Sequence, residues 1–154
     1  MRNIAAIVPL TIALAGCETV TLDGISWKAD LDSMPERACV EQAAGRVTGV
    51  AVVADDKTAG EIAARLPAGS YVVALHVDPI AVPRAPFLLD LRQEPGHPTF
   101  ALRYVDSERF RDHYDNIAQA LIASVSQACG VPELARRAHE THDSTTFLQP
   151  WAPV

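Results

Sequence analysis

Phe87-Leu88-Leu89-Asp90-Leu91-Arg92-Gln93 is followed by Glu94-Pro95-Gly96-His97-Pro98 and then by Thr99-Phe100-Ala101-Leu102-Arg103-Tyr104-Val105. In an extended chain, successive side chains point to opposite faces. Phe87, Leu89 and Leu91 therefore share one face, with Asp90 and Arg92 on the other. Phe100, Leu102 and Tyr104 alternate in the same way, with Arg103 opposite. The Pro- and Gly-containing stretch between the two runs reads as a hairpin connection. The two runs thus make an antiparallel pair with one apolar face, which needs a covering layer.

Downstream, the segment from Ser107 supplies that layer. Phe110, Tyr114, Ile117, Leu121, Val125 and Ala128 recur at the helical period and mark a core face. Asp112 and Asp115 sit in the early turns, where carboxylates suit the helix dipole, and Gly130 and Pro132 close the helix. Pro132 to His142 reads as a further helix, and Asp143 to Val154 as an extended tail without periodicity.

Upstream, Tyr71, Val73, Leu75 and Val77 alternate onto one face of a strand, and Val50 to Ala54 is a short buried strand ending at Asp55-Asp56. Asp78 to Pro86 holds three prolines and reads as a loop. Between the strands, Thr58 and Glu61 have capping-box spacing, so Ala59 to Leu66 reads as a short helix, with a strand as its competitor. Ser33, Pro35 and Glu36 open an earlier helix by the same spacing, with Val40, Ala43, Ala44 and Val47 on one arc and Gly49 as its stop. Glu18 to Asp32 is polar with scattered apolar residues. It reads either as a tether or as a short strand around Ile25-Ser26-Trp27. The order helix, strands, helix, with a sheet at least partly antiparallel, predicts an α+β two-layer sandwich with two main helices on one face.

The N-terminus carries a different kind of signal. Arg2 precedes an apolar run from Ile4 to Leu14, which ends in Leu14-Ala15-Gly16-Cys17. The run has the length of a signal h-region and is too short to span a bilayer. The four residues Leu14 to Cys17 resemble the lipobox of bacterial lipoproteins, where the peptidase cuts before a cysteine that carries lipid. The resemblance implies lipid attachment at Cys17 and a membrane-lipid partner through it. Glu18 follows where an inner-membrane retention signal would place Asp, so the resemblance implies the outer membrane, facing the periplasm. The outer leaflet of the inner membrane is the alternative. The chain then divides into a signal peptide at 1–16, a lipidated N-terminus and tether at 17–32, a single α+β domain at 33–142 and a tail at 143–154.

With Cys17 committed to lipid, two cysteines remain. An exported chain lives in an oxidising compartment, where a lone pair usually joins. Cys39 lies near the start of the first helix and Cys129 at the end of the last. Both sit at the edge of their apolar arcs, and antiparallel helices would bring them together. A Cys39–Cys129 disulfide is therefore expected.

The 154 residues carry a formal net charge of −6, and removal of the segment containing Arg2 leaves the remainder slightly more acidic. That balance argues against nucleic acid as a partner. His139 and His142 would share a helical face and could chelate one ion, but they lack the HExxH spacing. A polar helix end explains them equally well. Asp55-Asp56 follows a strand, where functional carboxylates often sit, yet also suits a simple turn. His113 beside Asp112 suits a solvated helix face. Tyr71, Phe100 and Tyr104 are at strand spacing and suit a core. No Ser elbow, P-loop or redox C-x-x-C is present in the sequence. The expectation is therefore no catalytic residues, no metal and no cofactor, and a lipoprotein that acts by binding an envelope protein. The alternatives are a small envelope hydrolase or metal-dependent enzyme, and a small-ligand carrier.

Overall fold

The structure is a computed structural model that describes residues 21–78, 87–132, 135–136 and 140–143. Its elements are β1 (Thr21–Asp30), α1 (Arg37–Ala44), β2 (Val50–Val53), α2 (Lys57–Ala63), β3 (Tyr71–Val77), β4 (Phe87–Gln93), β5 (Pro98–Val105), α3 (Arg111–Cys129), β6 (Ala135–Arg136) and β7 (Glu140–Asp143). The fold is α+β. The strands form one sheet in the order β2-β3-β4-β5-β1-β6, and β7 also pairs with β1. Each described pairing is antiparallel.

The hairpin is present, with Leu89 opposite Leu102 and Leu91 opposite Phe100. One face of the sheet presents Val73, Leu75, Leu89, Leu91, Phe100, Leu102 and Tyr104, all buried in one cluster with residues of α1 and α3. From α3 that cluster takes Tyr114, Ala118, Leu121 and Val125, while Phe110 and Ile117 pack at its margin. Ala128, expected on the same stripe, is exposed and Ala118 takes a central place instead. The stripe is thus rotated slightly from its predicted centre. Phe87 stacks on Tyr104 with ring centroids 4.6 Å apart, and Tyr114 meets Phe87 edge-on at 5.0 Å. Such pairs contribute about 0.5–1.5 kcal/mol each beyond their burial.

The opposite face has a smaller apolar cluster. Val72, Ala74 and Leu88, the alternate residues of β3 and β4, pack with Ala59 and Ile62 of α2. The two main helices share the larger core as expected. The short α2 lies across the sheet from them, so cover on the second face is an addition to the two-layer expectation.

Helix ends differ from their predicted positions for identifiable reasons. α1 begins at Arg37 with Glu36 at the N-cap and no side-chain cap bond, so the Ser33 capping box does not form. The Pro35 carbonyl instead accepts from the Tyr71 hydroxyl at 2.8 Å, which holds the entry segment outside the helix. α2 is a helix, and Asp56 rather than Thr58 caps it, accepting from the Ala59 amide at 2.8 Å. Asp is the stronger cap, and it moves the start by two residues. α1 closes at Gly45, while Gly49, with φ +82°, turns the chain into β2. Ser107 accepts from the Phe110 amide in a turn that precedes α3, and Gly130 closes α3 in the left-handed conformation as expected.

Two segments differ from the sequence expectation. Between tether and strand, 21–30 is strand: β1 pairs along β5 from Gly24–Val105 to Asp30–Thr99. The helix expected over 132–142 is not formed at its described positions. Ala135–Arg136 and Glu140–Asp143 are short strands on β1. The proline loop and the tail after Asp143 lie outside the described residues.

Cys39 and Cys129 are joined, with Cα atoms 6.0 Å apart, across a sequence separation of 90 residues. Ser124 Oγ donates to the Ala43 carbonyl at 2.8 Å further along the same helix pair. The residue pairs 39/129 and 43/124 run in opposite directions, so α1 and α3 are antiparallel. In the loop-entropy model a bridge of this span contributes up to about 4–5 kcal/mol.

Leu121 is fully buried. Leu121→Ala should lower stability by about 2–5 kcal/mol, measured by urea unfolding. Burial pushes the Tyr71 hydroxyl well above the ordinary tyrosine range, with the nearby Arg37 guanidinium pulling the other way. The folded state then keeps a proton that the unfolded chain releases. Stability from this group is whole below the unfolded value of about 10 and falls as pH rises past it. Thermal melts from neutral to strongly alkaline pH should show that fall, and Tyr71→Phe should flatten it.

Candidate functional site

The sequence placed Asp90, Arg92 and Arg103 on the face away from the main core. Strand alternation does put them there, yet they are not a solvated surface. Asp90 is 1% exposed and Arg103 4% exposed. β4 and β5 fix their spacing: Arg103 stands opposite Leu88, one diagonal step from Asp90. The Asp90 carboxylate accepts from Arg103 Nη2 at 2.5 Å, from Arg92 Nη2 at 2.8 Å and from Arg92 Nε at 3.0 Å. One carboxylate therefore serves two guanidiniums. Ser26, opposite Arg103 on β1, is also buried, and its hydroxyl has no hydrogen-bond partner among the described residues.

Chemically, this arrangement immobilises charge. Three guanidinium nitrogens occupy the Asp90 oxygens, which commits the carboxylate to these ion pairs. Ser26 has no described base beside it to activate the hydroxyl. The cluster crosses from β4 to β5 and locks their register on the face where apolar cover is thinnest.

A second polar chain crosses the main core. Trp27 Nε1 donates to the Tyr104 hydroxyl at 3.1 Å, and that hydroxyl donates to Asp115 Oδ1 at 2.7 Å. It joins β1, β5 and α3 through a tyrosine with no solvent exposure. The sequence marked Tyr104 as core without this network. The available signal was the pairing of a strand tryptophan with a strand tyrosine, which becomes visible only once β1 is placed beside β5.

The candidate residues for chemistry in the sequence are dispersed in the fold. Asp56 is spent as the α2 cap, and Asp55 holds the preceding turn with φ +54°. His113 is exposed on α3, with Nε2 2.8 Å from the Asp78 carbonyl, and Asp112 is exposed beside it. Tyr71, Phe100 and Tyr104 belong to the core. His142 lies in β7 opposite Leu22, so the helical spacing that would pair it with His139 is absent there. His139 itself lies outside the described residues, as do Cys17 and the residues that precede it. Among the described residues no group of three or more His, Cys, Asp or Glu is placed to hold a metal ion. Nor is any described helix long and apolar enough to cross a membrane. Comparison with protein-family models, with curated proteins and with solved structures finds no match.

Removing one partner of a buried ion pair strands the other charge. Asp90→Ala should therefore lower stability by about 3–5 kcal/mol. Adding Arg103→Met to that variant should recover part of the loss. A double-mutant cycle by urea unfolding measures the coupling.

Proposed function

We propose that this chain is a bacterial envelope lipoprotein, held through lipid on Cys17 to the periplasmic face of the outer membrane and acting there by binding another envelope protein. The observation that carries the reading is Leu14-Ala15-Gly16-Cys17 at the end of an uncharged apolar run. The cysteine chemistry supports it independently. Cys39 and Cys129 are joined in the folded domain, and such bonds persist in oxidising compartments such as the periplasm.

Lipid chains account for attachment without a spanning helix. Each buried methylene contributes about 0.8 kcal/mol, and two or more chains give a lasting anchor. A binding role is preferred because the described charged side chains near the earlier candidate positions already have structural work. Asp56 caps a helix, His113 meets a backbone carbonyl, and Asp90 is saturated by two arginines.

Cys17→Ser should abolish incorporation of a radiolabelled fatty acid and leave the precursor unprocessed, while the wild type is labelled. Equal labelling of both proteins would remove the reading. Crosslinking in intact membranes, followed by mass spectrometry, should then join the wild-type domain to a discrete envelope protein.

A further inference from the structure

We infer that the anchor also orients the domain: the end of the sheet carrying Val50, Val77 and Val105 faces the bilayer, and the disulfide-bearing end points away from it. The inference rests on the lipoprotein reading and adds a direction to it.

The argument begins with chain length. β1 starts at Thr21, and only Glu18, Thr19 and Val20 stand between it and Cys17. An extended chain advances at most about 3.6 Å per residue, so the first residue of β1 lies within about 14 Å of the lipidated cysteine. β1 itself rises about 3.3 Å per residue, which carries its far end, Asp30, roughly 30 Å along the sheet. The tether is therefore shorter than the sheet is long, so a domain standing upright on the bilayer meets it with the end where β1 begins.

Register then states which residues lie at each end. Gly24 pairs with Val105, Leu75 with Phe87 and Val50 with Val77. The near end thus holds Arg46, just before β2, and Glu108 and Arg109, just before α3. Asp30 pairs with Thr99, Tyr71 with Leu91 and Val53 with Ala74. The far end thus holds the turn at His97 and the start of α2 at Lys57. α3 runs from the near end to Cys129 at the far end, and α1 returns from Cys39 there.

Charge does not separate the two ends, since the near end holds Asp23, Asp106, Glu108, Asp112, Glu140 and Asp143 and the far end a similar set of carboxylates. The direction rests on the length of the tether. At the near end Arg109 is exposed and its guanidinium lies 5.2 Å from the centre of the Phe110 ring, a pairing of cation and aromatic that a headgroup layer tolerates well.

The test uses the full-length lipidated protein in vesicles of phosphatidylethanolamine and phosphatidylglycerol that carry a headgroup-attached paramagnetic quencher. With Cys17 lipidated and Cys39 joined to Cys129, one added cysteine takes a fluorophore at one place. Labels in Glu108→Cys and Arg46→Cys should lose fluorescence in these vesicles, and labels in Lys57→Cys and His97→Cys should not. A long Gly/Ser insert between Val20 and Thr21 should erase the contrast. Equal or reversed quenching overturns the orientation, as does a contrast that survives the insert. If mass spectrometry finds no lipid on Cys17, the lipoprotein reading falls together with the orientation. Lipid present with reversed quenching overturns the orientation alone.

Discussion

The constraint on which the rest of this structure depends is that its central strands bury most of both faces. β3 buries Val73 and Leu75 on one side and Val72 and Ala74 on the other. β4 does the same with Leu89 and Leu91 against Leu88 and Asp90. An antiparallel sheet commonly leaves one face wet, with polar residues in alternation. Here both faces demand cover, so α1 and α3 occupy one and α2 part of the other. The single carboxylate in β4 must then be paired where it stands. Two arginines on the same face do this. Their value lies less in net stability than in register, since a shift of one residue along β5 would leave Asp90 buried without Arg103.

The helical cover is unequal, and the disulfide explains how it holds. α1 has eight residues, too few for a stable helix alone. It gains its place from Val40, Ala43 and Ala44 in the core, from the Ser124 hydroxyl on its last turn and from the bond between Cys39 and Cys129. α3, with nineteen residues and a buried stripe of its own, is the support. The covalent link fastens the weak helix to the strong one at the end where the chain enters α1.

Local patterns made much of the main core legible. The alternation in 87–105 and 71–77 is a period-two signal, and Tyr114, Leu121 and Val125 follow the helical period closely. Both are set by neighbours in the chain. The pairing of two cysteines ninety apart was legible too, because compartment and helix direction left one simple solution. What was not legible depended on distant partners. Glu133 to Arg137 are good helix formers, yet the described residues 135–136 pair with β1, so tertiary pairing overrode propensity there. Asp90 reads as a surface residue until the second face is known to be covered. Thr58 looked like a cap because of its spacing, and Asp56 prevailed through chemistry. Leu14-Ala15-Gly16-Cys17 belongs to another category: as a local motif it says nothing about the fold that follows.

One feature of the sheet border bears on crowding. β2 ends the strand order and is only four residues long, with the left-handed turns of Gly49 before it and Asp55 after it. A strand at a border offers unpaired amides and carbonyls to any neighbouring chain, and Val50-Ala51-Val52-Val53 has no charge to discourage one. Its brevity and its two sharp bends do that work instead, because an incoming strand finds a template of four residues and then a backbone that turns aside. Such a truncated border keeps neighbouring copies of the domain from stitching their sheets together.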